Sequence, residues 1–171
     1  MAKKGKESKE IRRCPWPKGP LYDAYHDEEW GRPLHDDRAL FELLILEGMQ
    51  AGLSWETILN KLENFRKAFE GFIPETVAGY SEEKLEELMK DEGIIRNRRK
   101  IWAARANARA FLEIQREFGS FDSYYWALNG GVPTVNHFEN VEDVPAETEL
   151  SRTISKDLKK RGFTFVGPTI V

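Results

Sequence analysis

The sequence has one cysteine, Cys14, in 171 residues. A lone cysteine excludes an internal disulfide framework and fits a reducing compartment. There is no uninterrupted apolar run of about 18 residues, so no membrane association through a spanning helix is expected. The N-terminal stretch has no apolar signal core, so secretion is not expected and a cytoplasmic location is. No internal repeat is visible, and no segment alternates as a half-buried strand does. What is present is 40% hydrophobic and 32% charged residues. That balance suits a globular chain long enough to bury one core without staples.

Positive charge is not in excess either. The net charge of −3 argues against binding polyanions by bulk attraction. Its distribution is uneven. Six basic and no acidic residues lie between Arg96 and Arg109. Glu82, Glu83, Glu86 and Glu87 precede them, and a run from Glu139 to Glu149 follows. This stripe reads equally as a polyanion footprint and as a solvated helix face. Residues 1–12 are polar, Lys-rich and without apolar period, which predicts a disordered basic tail. Residues 13–171 are expected to form a single helical domain.

The most informative stretch is Phe41 to Trp55, FELLILEGMQAGLSW. Leu40, Leu43, Leu44, Glu47 and Ala51 recur three or four apart and share one stripe of a helix. Glu47 thus occupies a core position. A carboxylate there needs a buried partner or must line a cavity, because desolvating the charge costs several kcal/mol. Asp36 or Asp37 can cap this helix, Gly52-Leu53 reads as its stop, and Ser54 as the cap of the next helix, to Glu70.

Upstream, Cys14-Pro15-Trp16-Pro17 opens the ordered chain in extended backbone. The segment from Leu21 to Gly31 brings Tyr25, His26, Asp27 and Trp30 together. Eleven residues separate Cys14 from His26, a spacing that matches no local zinc finger. By spacing alone, a buried cysteine and a satisfied histidine are the expected reading.

Downstream, 72–79 reads as a turn with Pro74, and Ser81 caps a helix from Glu82 to Lys90. Gly93 then supplies a turn, and a helix from near Asn97 to about Phe118 begins with Arg96, Arg98, Arg99 and Lys100 at its entry. Two helices joined by a glycine turn, the second with a cationic start, form a helix-hairpin-helix able to hold one backbone phosphate. A short aromatic helix (121–129), a polar loop to Leu150 and a helix from Ser151 to Arg161 follow. Residues 163–171 look like entry into a further helix, with Pro168 in its first turn and a C-terminal segment lacking. The class is all-α, with about eight helices.

YHDEEWG (25–31), LEGMQAGLSW (46–55), GIIRNRRKI (93–101) and KKRGFTFVGPTI (159–170) together resemble the DNA-3-methyladenine glycosylase I family of bacterial alkylation-repair enzymes. The resemblance spans Arg13 to Val171. It implies the helix-hairpin-helix DNA glycosylase fold and hydrolysis of the N-glycosidic bond of 3-methyladenine in double-stranded alkylated DNA. The flipped base would leave as free 3-methyladenine, and the protein would act as a monomer. By position it implies that Glu47 is the base-recognising, catalytic carboxylate and that Tyr25 and Trp55 are aromatic walls, with Trp30 beside them. It implies that Gly52 and Leu53 probe the duplex. Gly93, Arg96, Arg98, Arg99 and Lys100 fall at the DNA-binding hairpin.

The resemblance also implies a structural zinc, with Cys14 and His26 as the first two ligands. The family supplies a His and a second Cys beyond Val171, so this chain holds two of the four ligands that a closed site needs. His35 and His137 do not align with the other two. It further implies that no catalytic Asp activates water; Asp27 and Glu29 are candidate bases by residue type only. Two other classes fit the residues less fully: a non-catalytic helix-hairpin-helix DNA-binding module, and a structural helical domain.

Overall fold

Irregular backbone, not the helices, poses the main physical problem in this fold, because buried N–H and C=O groups must find partners. The computed structural model describes residues 13–171; the tail expected at 1–12 lies outside the described residues. The chain divides into two compact units, the second beginning at Pro33.

Among the described residues there are nine α-helices, two short 3-10 turns and no strand. The first unit carries α1 (Pro20–Glu28), with Pro20 at the position where a missing N–H is harmless. The second carries α2 (Asp37–Gln50), α3 (Trp55–Leu59), α4 (Leu62–Ala68), α5 (Pro74–Ala78), α6 (Glu82–Leu88), α7 (Arg98–Phe118), α8 (Phe121–Leu128) and α9 (Glu149–Lys160).

The long helix α7 is the spine of the second unit and touches α2, α5, α6 and α8. Its inner face is built from Ile101, Ala104, Ala108, Phe111 and Ile114, each at most 2% exposed. Alanines on that face let neighbouring helices approach closely. α2 buries Leu40, Phe41, Leu44, Ile45, Leu46 and Met49, which mark it as a core helix rather than a surface one. Phe65, Phe69, Phe72, Phe111, Phe121 and Phe163 are fully buried and complete the core. Each contributes about 2–3 kcal/mol of transfer free energy.

Three differences from the expected helices have physical causes. The helix expected from Ser54 to Glu70 is two, α3 and α4, broken at Asn60–Lys61. The apolar period runs unchanged through the break, so period alone could not reveal it. Residues 74–78, expected as part of a turn, form α5, because Pro74 starts a helix as readily as it starts a turn. The expected helix after Phe163 is a single turn in which the Ile170 N–H donates to Gly167 O at 2.8 Å.

Buried polar side chains serve the irregular segments. Asn107 donates to Thr164 O and accepts from Thr164 N–H, both at 2.9 Å. Ser155 Oγ donates to Val166 O at 2.6 Å. These bonds hold residues 163–166, where Phe163 and Val166 are buried. No helix among the described residues is long and apolar enough to cross a membrane.

Candidate functional site

Glu47 sits in the last turn of α2, whose start is capped by the Asp36 carboxylate accepting from the Ala39 N–H at 2.9 Å. The neighbouring Asp37 does something else. Its carboxylate accepts from the Phe121 and Asp122 N–H groups at 2.8 Å each, and from Gln115 Nε2 at 2.7 Å. It therefore satisfies the free N–H groups at the start of α8 from the start of α2. His35 adds a 2.7 Å contact to Asp122 and stacks on Trp126. The Trp126 indole N–H donates to Leu34 O at 2.9 Å. Residues 34–37 thus pin α8 against α2, which sets Phe121 and Tyr125 opposite the Glu47 stripe.

Between them lies a cavity of about 300 Å³ lined by Leu40, Leu44, Glu47, Phe121, Tyr125 and Ile170, among others. Of the two environments open to Glu47 in the sequence, the structure has the cavity. No described residue pairs with its carboxylate, and burial raises its pKa to about 7. Burial, and then the nearby Glu47 charge, also raises the pKa of the Tyr125 phenol. A half-ionised acceptor in a small apolar chamber can take up hydrogen bonds from a ligand and favours one bearing positive charge.

Trp55 is the first residue of α3, whose cap is Ser54 Oγ accepting from the Thr57 N–H. It packs against the core. Among the described residues, the rings lining this cavity beside Glu47 are Phe121 and Tyr125. Neither was expected from the sequence. Their only local signal was the aromatic density of FDSYYW, which reads as core.

The other expected residues of this unit fall at two turns. Gly52 has φ +80°, a left-handed value that favours glycine, and Leu53 is 40% exposed. Gly93 is needed for a different reason: a Cβ there would lie 2.9 Å from Asp91 Oδ1 and 3.1 Å from Asn64. The turn from α6 to α7 is closed by Gly93 N–H donating to Asp91 Oδ1 at 2.7 Å, and Asn97 caps α7.

Of the cations there, Arg96, Arg98 and Arg99 are exposed. Arg96 lies 3.5 Å from Glu92. Arg98 pairs with Glu86 and stacks on Trp102. Arg99 lies over the Phe165 ring and pairs with no carboxylate among the described residues. Lys100 departs from its expected place as a DNA-facing cation. It is 7% exposed, and its ammonium donates to Met49 O and Ala51 O at 2.8 and 2.7 Å. Farther along, Arg105 donates to Tyr80 O and Arg109 to Ala78 O, both at 3.0 Å. Half of the basic stripe is therefore internal stitching, because α7 passes the carbonyl ends of α2 and α5.

In the first unit, Arg13 grips Asp27 with bonds of 2.7–3.0 Å. His26 Nδ1 lies 2.9 Å from the same carboxylate, and its Nε2 accepts from the Cys14 N–H at 3.3 Å. Arg13, then His26, lower the Asp27 pKa to about 2, which makes it a weak proton acceptor. Trp30 stacks on His26 and meets Trp16 edge-on. Tyr25 is half-buried on α1, near Tyr22. Glu29 is exposed.

Cys14 and His26 are thus neighbours, and Asp27 orients the imidazole as carboxylates orient metal-bound histidines. Among the described residues, however, no three His, Cys, Asp or Glu side chains gather around one point. The described donors do not complete a four-ligand zinc site.

A family model for methyladenine glycosylases matches residues 16–171. The chain is 47% identical over 161 residues to DNA-3-methyladenine glycosylase 1 of Escherichia coli K12, covering 94% of this chain and 86% of that protein. A crystal structure of a 3-methyladenine DNA glycosylase I superposes with a TM-score of 0.90 at 47% identity, covering 93% of this chain and 88% of the other. The Staphylococcus aureus 3-methyladenine DNA glycosylase I, solved for the structural basis of its 3-methyladenine recognition, superposes with a TM-score of 0.87 at 40% identity. That match covers 90% of this chain and 81% of the other.

Proposed function

This chain belongs to the methyladenine glycosylase family, and from that premise we propose that it excises 3-methyladenine from alkylated double-stranded DNA by hydrolysing the N-glycosidic bond. The observation that carries the reading is Glu47: a carboxylate with no protein partner among the described residues, facing a partly open chamber beside aromatic rings. A base inside a duplex is out of reach, so it must be extruded, at a few kcal/mol of unstacking.

Methylation at N3 makes the nucleotide cationic and its glycosidic bond weak. Glu47 accepts hydrogen bonds from the base's amine and ring edge, and its charge attracts the cation. Unmethylated adenine is neutral and gains less. Glu47 thus favours the state in which positive charge develops on the sugar and base. Tyr25, Trp30 and Trp55 are the residues that the family resemblance assigns to stacking. No general base is assigned, and Asp27 is held by Arg13 and His26.

DNA contact in this reading comes from the exposed Leu53 beside Gly52, and from the turn at Gly93 with Arg96, Arg98 and Arg99 at the open end of α7. The protein acts as a monomer in the cytoplasm, where the chromosome is. A structural zinc would take Cys14 and His26 and two donors from outside the described residues; no step of the reaction runs through it.

The test is incubation with methylated duplex DNA and chromatography of the released bases, with free 3-methyladenine expected. Salt-dependent duplex affinity without base release would instead identify a non-catalytic DNA-binding module.

A further inference from the structure

Lys100 is buried, and among the described residues no carboxylate is bonded to it. Burial lowers its pKa, yet its two partners are carbonyls at the C-terminal end of α2, where the helix dipole favours a cation. Those carbonyls, of Met49 and Ala51, belong to the chain just after Glu47. The backbone there is tightly closed: Ala51 N–H donates to Glu47 O at 3.2 Å, Leu53 N–H to Gln50 O at 2.6 Å, and Gln50 Nε2 to Leu53 O at 2.9 Å. At its other end, Lys100 is the third residue of α7, and its own N–H is capped by Asn97. A second lysine makes a parallel tie: Lys61 Nζ donates to Glu92 O at 3.0 Å and Gly93 O at 3.3 Å. The hairpin is therefore braced by one ammonium toward the Glu47 turn and by another toward the α3–α4 junction.

We propose that Lys100 is a positioning residue that fixes the Gln50–Leu53 turn, and Glu47 one helical turn before it, to the first turn of α7. Lys61 holds the hairpin turn in the same frame. The inference rests on the glycosylase reading: a hairpin that holds the DNA backbone and a carboxylate that receives the base must keep one spacing. A misplacement of about 1 Å at a reacting centre can cost about a hundredfold in rate. Lys100 in this role does not touch DNA, which separates it from a phosphate-binding lysine.

The experiment compares wild type, Lys100→Met and Lys61→Met on methylated duplex DNA at several salt concentrations, with titration of free 3-methyladenine and amide exchange at Leu53. The expected result for Lys100→Met is a kcat lowered about tenfold or more, free-base affinity within about twofold, an unchanged slope of duplex affinity against salt, and faster Leu53 exchange. Lys61→Met is expected to lower kcat in the same direction with the salt slope again unchanged, and it decides the matter should Lys100→Met fail to fold. An unchanged kcat in an active background overturns the inference alone. So does a salt slope reduced by about one, which marks a lost phosphate contact. Wild type that releases no 3-methyladenine overturns the glycosylase reading itself.

Discussion

Glu47 and Asp27 are the same kind of group in opposite settings. Asp27 is clamped by Arg13 and His26, and its pKa is lowered to about 2. Glu47 has no partner among the described residues, and burial raises its pKa to about 7. A paired carboxylate has used its hydrogen-bonding capacity within the protein, whereas a desolvated, unpaired one stays available to a ligand. The pairing pattern therefore points to Glu47 as the functional group and to Asp27 as a brace.

The contrast is tested most strongly by substituting each carboxylate with its amide. Glu47→Gln keeps the shape and loses the charge, so excision should fall by roughly a hundredfold or more, in line with removal of one transition-state electrostatic group. Asp27→Asn should not approach that loss; comparable losses in single-turnover assays would remove the distinction.

The next effect is on stability against pH. The folded-state pKa of Glu47, about 7, lies above its ordinary value of 4.5. Its contribution is fully present below about pH 4.5, declines as the unfolded chain ionises, and is gone above about pH 7. The difference in unfolding free energy between wild type and Glu47→Gln should shift by on the order of 3 kcal/mol between pH 4.5 and 8. Denaturant titrations at the two ends of that range check it. Asp27 carries the opposite sign: its contribution is present above about pH 4 and is lost as the pH falls through about 2. It is solvent-accessible, so the Asp27→Asn difference should be the smallest of the set, visible only as a shallow acid-side slope in thermal melts.

Between these falls Asp37→Ala. It removes the acceptor of two α8 N–H groups and of Gln115. It should destabilise the fold by about 1–3 kcal/mol. By loosening α8 it should also weaken binding of free 3-methyladenine, because Phe121 and Tyr125 would shift away from Glu47. Unchanged affinity by calorimetry would show that α8 does not shape the chamber.

The all-α class, the helix carrying Glu47 with a cap at Asp36 or Asp37, the caps at Ser54 and Ser81, and the long α7 beginning near Asn97 were legible because each is a local matter. They depend on apolar spacing and on a side chain reaching its own helix N-terminus. The break at Lys61 was not legible, since the apolar period passes through it, and the single turn at Gly167 was not, since Pro168 suits a turn as well as a helix start. Phe121 and Tyr125 were invisible as cavity residues for a related reason. Nothing near FDSYYW records that Asp37, 84 residues upstream of Phe121, holds this helix against α2.

The sequence alone determined that Glu47 would stand on an apolar stripe, because 3.6 residues per turn leave no other placement. It also determined that cations would gather where α7 begins. Only the tertiary structure decided which charges remain free. Lys100, Arg105 and Arg109 turn to backbone carbonyls that other segments bring within reach, while Glu47 meets an open chamber. Charge is written residue by residue, but a partner is a matter of distance, and distances between remote segments exist only once the chain has folded.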